Sequence, residues 1–141
     1  MSLNNPTVNQ INADHLFHGE RRLELESVYN AGGSPLVIPL GTILGRATSG
    51  GANGYLTVCK SGSSDGSQIP LYIMPYTVTV PATSALSCQI AINGIVDSSL
   101  LVFDGTDTLT TQVSGGLTFD DYLNQRFKLN NYQSNIAFQE S

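Results

Sequence analysis

In the stretch RRLELESVYN, Leu23 and Leu25 alternate with Glu24 and Glu26, and a period of two places the two pairs on opposite sides of a strand with one face in water. The next apolar stretch, PLVIPLGTILGRAT, is punctuated by Pro39, Gly41 and Gly45 and reads as short strand pieces joined by a bend. Asn53-Gly54 predicts a hairpin with a primed turn, since both central positions of such a turn need positive φ, and YLTVC follows as a short strand. The run LYIMPYTVTV is β-branched and apolar, but Pro75 removes one ladder donor and points to an edge or a bulge. In ALSCQIAING, Leu86, Cys88, Ile90 and Ile92 share one face of a strand that Asn93-Gly94 is expected to end. IVDSSLLVF continues the sheet up to a turn at Asp104-Gly105.

Helical spacing occurs once. Thr118 followed by Asp121 has the form of a capping box, and Phe119, Leu123 and Phe127 recur at i, i+4 and i+8, which predicts a short amphipathic helix over residues 118–129. Beyond it the tail is polar, with isolated Ile136 and Phe138. The first sixteen residues are also polar and carry too little apolar surface to offset their ordering entropy, so they are expected to form a flexible arm. Residues 17–141 then form one β-rich domain, and the many short strands with frequent turn signals favour a small barrel or sandwich.

A chain of 141 residues suits one domain with a single core, and no apolar run reaches the roughly 18 residues that would span a bilayer. The start lacks the basic and apolar regions of a secretory signal, so the expected compartment is a reducing cytoplasm. Cys59 and Cys88, the two cysteines, are expected as buried thiols rather than a disulfide framework. The net charge is −5 and no Lys or Arg occurs between Lys60 and Arg126, which argues against a direct nucleic-acid partner. Only 12% of residues are charged, and a surface of Ser, Thr, Asn and Gly suits faces that pack against neighbours in an assembly.

Candidate chemistry has simpler structural explanations at each place. In SSDGSQIP a serine nucleophile would need a base, and the two histidines, His15 and His18, lie in or beside the arm. Asp65-Gly66 is accounted for as a turn, with Asp bonding the following backbone and Gly supplying positive φ. Asp14, His15 and His18 would need Cys59 or Cys88 to complete a metal set, and no metal or other cofactor is expected. SGGANG is not followed by the Lys-Ser or Lys-Thr pair and helix of a phosphate cradle. The pair Glu24 and Glu26 has Arg21 and Arg22 nearby, and Asp120 and Asp121 suit the first turn of a helix. No catalytic residue is assigned, and no enzyme is expected.

The order of these phrases carries a resemblance. FHGERRLELESVYNAGG leading to PLVIPLGTILGRAT, then DGSQIPLYIMPYTV and INGIVDSSLLVF, resembles the head decoration proteins of tailed bacteriophages, the family of the lambda capsid-stabilising protein. Gly41, Thr42, Leu44 and Gly45 match the family's Gly-Thr-x-Leu-Gly turn, and Asp65 and Gly66 match a later Asp-Gly turn before an apolar strand. The resemblance spans residues 17–103 and implies a mainly β body of the β-tulip type. It further implies a homotrimer at local threefold positions on the outside of the expanded head, although a dimer at twofold positions would also serve. The implied partner is the major capsid protein, met in the host cytoplasm during assembly and held on the virion surface. An arm of Asn4, Asn5, Pro6, Thr7, Val8, Asn9, Gln10, Ile11 and Asn12 would order there by strand addition. Gly41, Gly45, Asn53, Gly54, Asp65, Gly66, Asn93 and Gly94 are its expected structural turns.

Two other functions compete. A carbohydrate-binding module of a phage fibre or a lectin would need aromatic platforms, for which Tyr72, Tyr76 and Tyr122 are the candidates in a chain without Trp. A trimeric nucleotidohydrolase would need a set of acids for magnesium with a basic phosphate contact, and no such set is visible.

Overall fold

Two strands of 14 residues, β1 (Phe17–Asn30) and β7 (Ser84–Asp97), pair antiparallel over nearly their whole length. The computed structural model describes residues 15–131. Between the two long strands come β2 (Leu36–Ile38), β3 (Ile43–Arg46), β4 (Leu56–Val58), β5 (Tyr72–Ile73) and β6 (Val78–Val80), followed by α1 (Phe119–Leu123) and β8 (Phe127–Asn130). The order β1-β4-β3-β5-β7, with β7 returning to β1, closes a five-stranded barrel, so the mainly β body with one short helix near the C-terminus is as the sequence predicts. Strand β8 adds to β7 in parallel at Gly94 to Asp97, and β2 pairs with β6 in a separate two-stranded sheet.

Opposed residues of an antiparallel pair share a face, so the register separates inside from outside. Glu24, Glu26 and Val28 stand opposite Ile90, Cys88 and Leu86, and Val28, Cys88 and Ile90 join Leu44, Leu56, Met74 and Val80 in one buried cluster, the barrel interior. On the outer face Ile43, Ile73 and Ala91 form a second cluster with Cys59 and Val96, covered by Leu101, Val113, Phe119, Leu123 and Phe127. The helix and its flanking segments thus act as a lid of apolar side chains on one side of the barrel. Leu23 and Leu25 stand opposite Ala91 and Gln89 on that same outer face, yet remain 37% and 66% exposed.

The alternation of leucine and glutamate is therefore real, but its faces are reversed. Glu26 lies on the interior side, where its Oε1 accepts from Arg46 Nη2 at 3.1 Å, while the leucines face out. Both members of this ion pair are partly exposed, so they line the rim of the interior rather than its centre.

Several local expectations are corrected. Asn93-Gly94 does not end β7; the strand runs on to Asp97, and the pair forms an irregularity at which the register with Arg21 and Arg22 shifts. Asn93 Oδ1 accepts the Arg22 N–H at 3.1 Å, replacing a ladder bond that the irregularity removes. Gly45 is not a turn residue: it lies within β3, where an added Cβ would fall 2.2 Å from the Ser67 carbonyl oxygen. Asn53-Gly54 lies in the β3–β4 connection, but positive φ occurs at Gly54 alone, so the turn is not a primed one. The helix stops at Leu123 because the outer edge of β7 offers backbone partners to Phe127–Asn130, and Phe127 is buried from a strand instead. Its predicted capping box is present, with the Asp121 N–H donating to Thr118 Oγ1 and the Thr118 N–H to Asp121 Oδ2.

The body also begins earlier than expected, since Leu16, assigned to the arm, is fully buried in the outer cluster. Residues 4–12 of the arm lie outside the described residues. The remaining expected turns stand: Gly41 has φ +91°, and Gly66 has φ +101° beside Asp65.

Gly45→Ala is expected to destabilise the protein by roughly 2 kcal/mol or more, the cost of overpacking against a backbone that cannot rotate away. Gly51→Ala, at a position with nothing within 4 Å of an added Cβ, should change little in the same urea titration. Equal midpoints for the two variants would contradict the close approach of Ser67.

Candidate docking surface

Both ends of the described chain are anchored at one end of the long ribbon. Phe17, at the start of β1, stands opposite Val96, and Leu129, near the end of β8, pairs with Val96 from the other side. The described chain therefore begins and ends on the two flanks of β7, where that strand finishes. Leu16, Phe17 and Phe127 are buried here, and the Arg21 guanidinium lies 5.3 Å from the centre of the Phe17 ring. A cation over an aromatic face holds the first turn of chain against the barrel.

A second feature is the uncovered part of the outer face. The lid formed by residues 98–130 buries Ile43, Ile73 and Ala91 but leaves Leu23 and Leu25 open on β1. Their β7 neighbours Ser87 and Gln89 are exposed and uncharged, and Ser27 Oγ and Ser87 Oγ share a hydrogen bond across the pair. Burying this face requires little desolvation of charge, and two large leucine surfaces lie ready for an apolar partner.

Asp65 Oδ1 accepts from both Ser67 N–H and Ser67 Oγ–H, at 3.0 and 2.6 Å, and these bonds hold its carboxyl below the usual carboxylate range. Ser67 is itself buried, so its hydroxyl closes the turn. Among the described residues, no three of His, Cys, Asp or Glu are grouped so as to hold a metal ion. Tyr72 packs against the interior cluster and Tyr122 against the outer one, so they do not share a platform; the Tyr76 hydroxyl accepts the Gln89 N–H at 2.9 Å. Asp120 and Asp121 occupy the first helical turn, as expected.

Buried Asn30 is not among the residues that the sequence singles out. Asn30 Nδ2 donates to the carbonyls of Ser34, Val80 and Pro81, while its Oδ1 accepts the Gly32 N–H, so a single amide ties the β1–β2 loop to the end of β6. An Asn at the end of a strand signals a turn, and nothing in its neighbours reveals a fourfold clamp.

Cys59 lies in the outer cluster and Cys88 in the interior one, and both are free thiols. Burial pushes both thiols up, with Asp107 and Asp104 adding to the effect at Cys59. Ellman's reagent is expected to leave both unmodified in the native protein and to count two in denaturant; rapid reaction of either native thiol would contradict this packing. Comparison with protein-family models, curated proteins and solved structures finds no significant match to this chain.

Proposed function

We propose that this protein is a bacteriophage capsid decoration protein, which binds the outside of the expanded head and stabilises the shell against internal DNA pressure. The observation that carries the proposal is that β1 begins and β8 finishes at one end of the ribbon, on either side of Val96. A body built this way has one end suited to face a lattice, in keeping with the resemblance in residues 17–103. The protein acts as a structural component, with no enzymatic role and no cofactor. It joins the major capsid protein in the host cytoplasm and stays on the virion surface.

Ordering a dozen arm residues costs on the order of 12 to 24 kcal/mol of backbone entropy, so the arm needs a template strand from the shell. Three arms on one trimer raise affinity by about 10² to 10⁴ over a single contact when the lattice matches their spacing. An expanded shell supplies that spacing and a compact precursor need not, so the maturation state of the shell decides binding. The homotrimer at local threefold positions uses the open outer face of β1 for contacts between copies, since Leu23 and Leu25 extend a face that the chain covers elsewhere with its own lid.

Deletion of residues 1–14, which spares the buried Leu16, should weaken binding to expanded, undecorated shells by at least about tenfold while leaving the fold intact by circular dichroism. Unchanged binding would move the capsid contacts onto the barrel. Leu25→Asp should lower the mass measured by light scattering in solution to that of the monomer. A trimer mass retained by that variant would remove β1 from the contact between copies.

A further inference from the structure

Two adjoining cavities, of about 440 and 420 Å³, share Lys60, Ser63 and Asp104 in their walls and so form one continuous trough. Each falls within the roughly 300–1,000 Å³ typical of small-ligand sites. One end is bounded by Tyr29, whose ring stacks on Tyr55 at 5.4 Å between centres and 14° between planes. That stacking fixes the ring at the wall of the trough. Rigid aromatic rings with few rotatable bonds bind at low entropic cost.

The polar walls are set in advance. Both oxygens of Asp107 accept from Ser61, at 2.6 Å from the hydroxyl and 3.0 Å from the backbone N–H. Lys60 and Asp104, at the junction, are exposed and make no side-chain hydrogen bond or ion pair among the described residues. A donor and an acceptor thus face the same space without satisfying each other. Asp65, Asp104 and Asp107 outnumber the one cation, so phosphate and sulfate ligands are repelled. Strand β4 beneath is paired on both sides, by β1 and β3, so strand addition by a peptide finds no free ladder there.

We infer that this trough, from Tyr29 past Lys60 and Asp104 to Asp107, binds an uncharged extended oligosaccharide. The apolar face of one sugar ring lies on Tyr29, and hydroxyls of the next ring donate to Asp104 and accept from Lys60. This activity is separate from capsid binding: Tyr29 lies at the far end of β1 from Phe17, four residues beyond Leu25. It gives a decorated particle a weak, repeated affinity for surface glycans, multiplied by the copy number of the protein.

The test uses the full chain labelled with nitrogen-15 and titrated with chitotetraose, cellotetraose and maltotetraose, with a heparin tetrasaccharide and tetra-alanine as controls. At least one neutral tetrasaccharide should shift the amide resonances of Lys60, Ser63 and Asp104. Asp104→Asn combined with Lys60→Ala should weaken that binding at least tenfold. These side chains support nothing else among the described residues, so the double variant keeps the fold; Tyr29→Leu should weaken binding as well. The inference is overturned if no neutral tetrasaccharide binds at millimolar concentration, or if the double variant binds as well as the parent. It is equally overturned if heparin or tetra-alanine shifts these resonances in preference to the sugars.

Discussion

The antiparallel pairing of β1 with β7 is the constraint on which the rest of the molecule depends. Its two faces feed two cores at once: Val28, Cys88 and Ile90 point into the barrel, while Ala91 and Val96 lie beneath the lid that carries Phe119, Leu123 and Phe127. The intervening strands are two to four residues long and meet the ribbon at few points, Val28 with Leu56 on one side and Ile73 with Ala91 on the other. Closure of so small a barrel follows from where the ribbon holds those contacts, with side chains rather than a long ladder filling the interior. A one-residue slip of register would exchange the faces and expose both cores.

Local devices make this register tolerable. The irregularity at Asn93 and Gly94 absorbs a mismatch toward the end of β7, and Asn93 supplies a side-chain acceptor for the Arg22 N–H. Asn30 satisfies four backbone groups where the ribbon gives way to loops, and Asp65 with Ser67 closes the loop that packs over Gly45. The Asn30 amide also saves the buried Val80 carbonyl from standing unpaired, which would cost about 1–3 kcal/mol.

The strands were legible where a period of two ran for several residues, as at Leu86 to Ile92, and the capping box at Thr118 was legible because its side-chain chemistry is local. The faces of β1 were not. Leu23 and Leu25 look like core in any single strand, and only pairing with Gln89 and Ala91, together with the limited reach of the lid, leaves them outside. Phe127 kept a helical spacing from Phe119 and Leu123 yet entered a strand, because the free edge of β7 competes for its backbone. Gly45 and Asn93-Gly94 read as turns because glycine in sequence does not distinguish a turn from a close approach or an irregular strand. The trough was hidden for a similar reason: Tyr29, Lys60 and Asp104 come from three separated segments that only the fold brings together.

The same ribbon orients the molecule for its proposed task. β1 begins and β8 finishes on either side of Val96 at one end of the barrel, and the open leucines of β1 lie along its flank. In the proposed function that end meets the lattice and that flank meets a second copy. Cryo-electron microscopy of expanded shells incubated with the full-length protein tests this most directly. The account predicts density for the barrel on the outer surface with the end at Phe17, Val96 and Leu129 against the capsid; a barrel bound by its opposite end, or shells left bare, would contradict it.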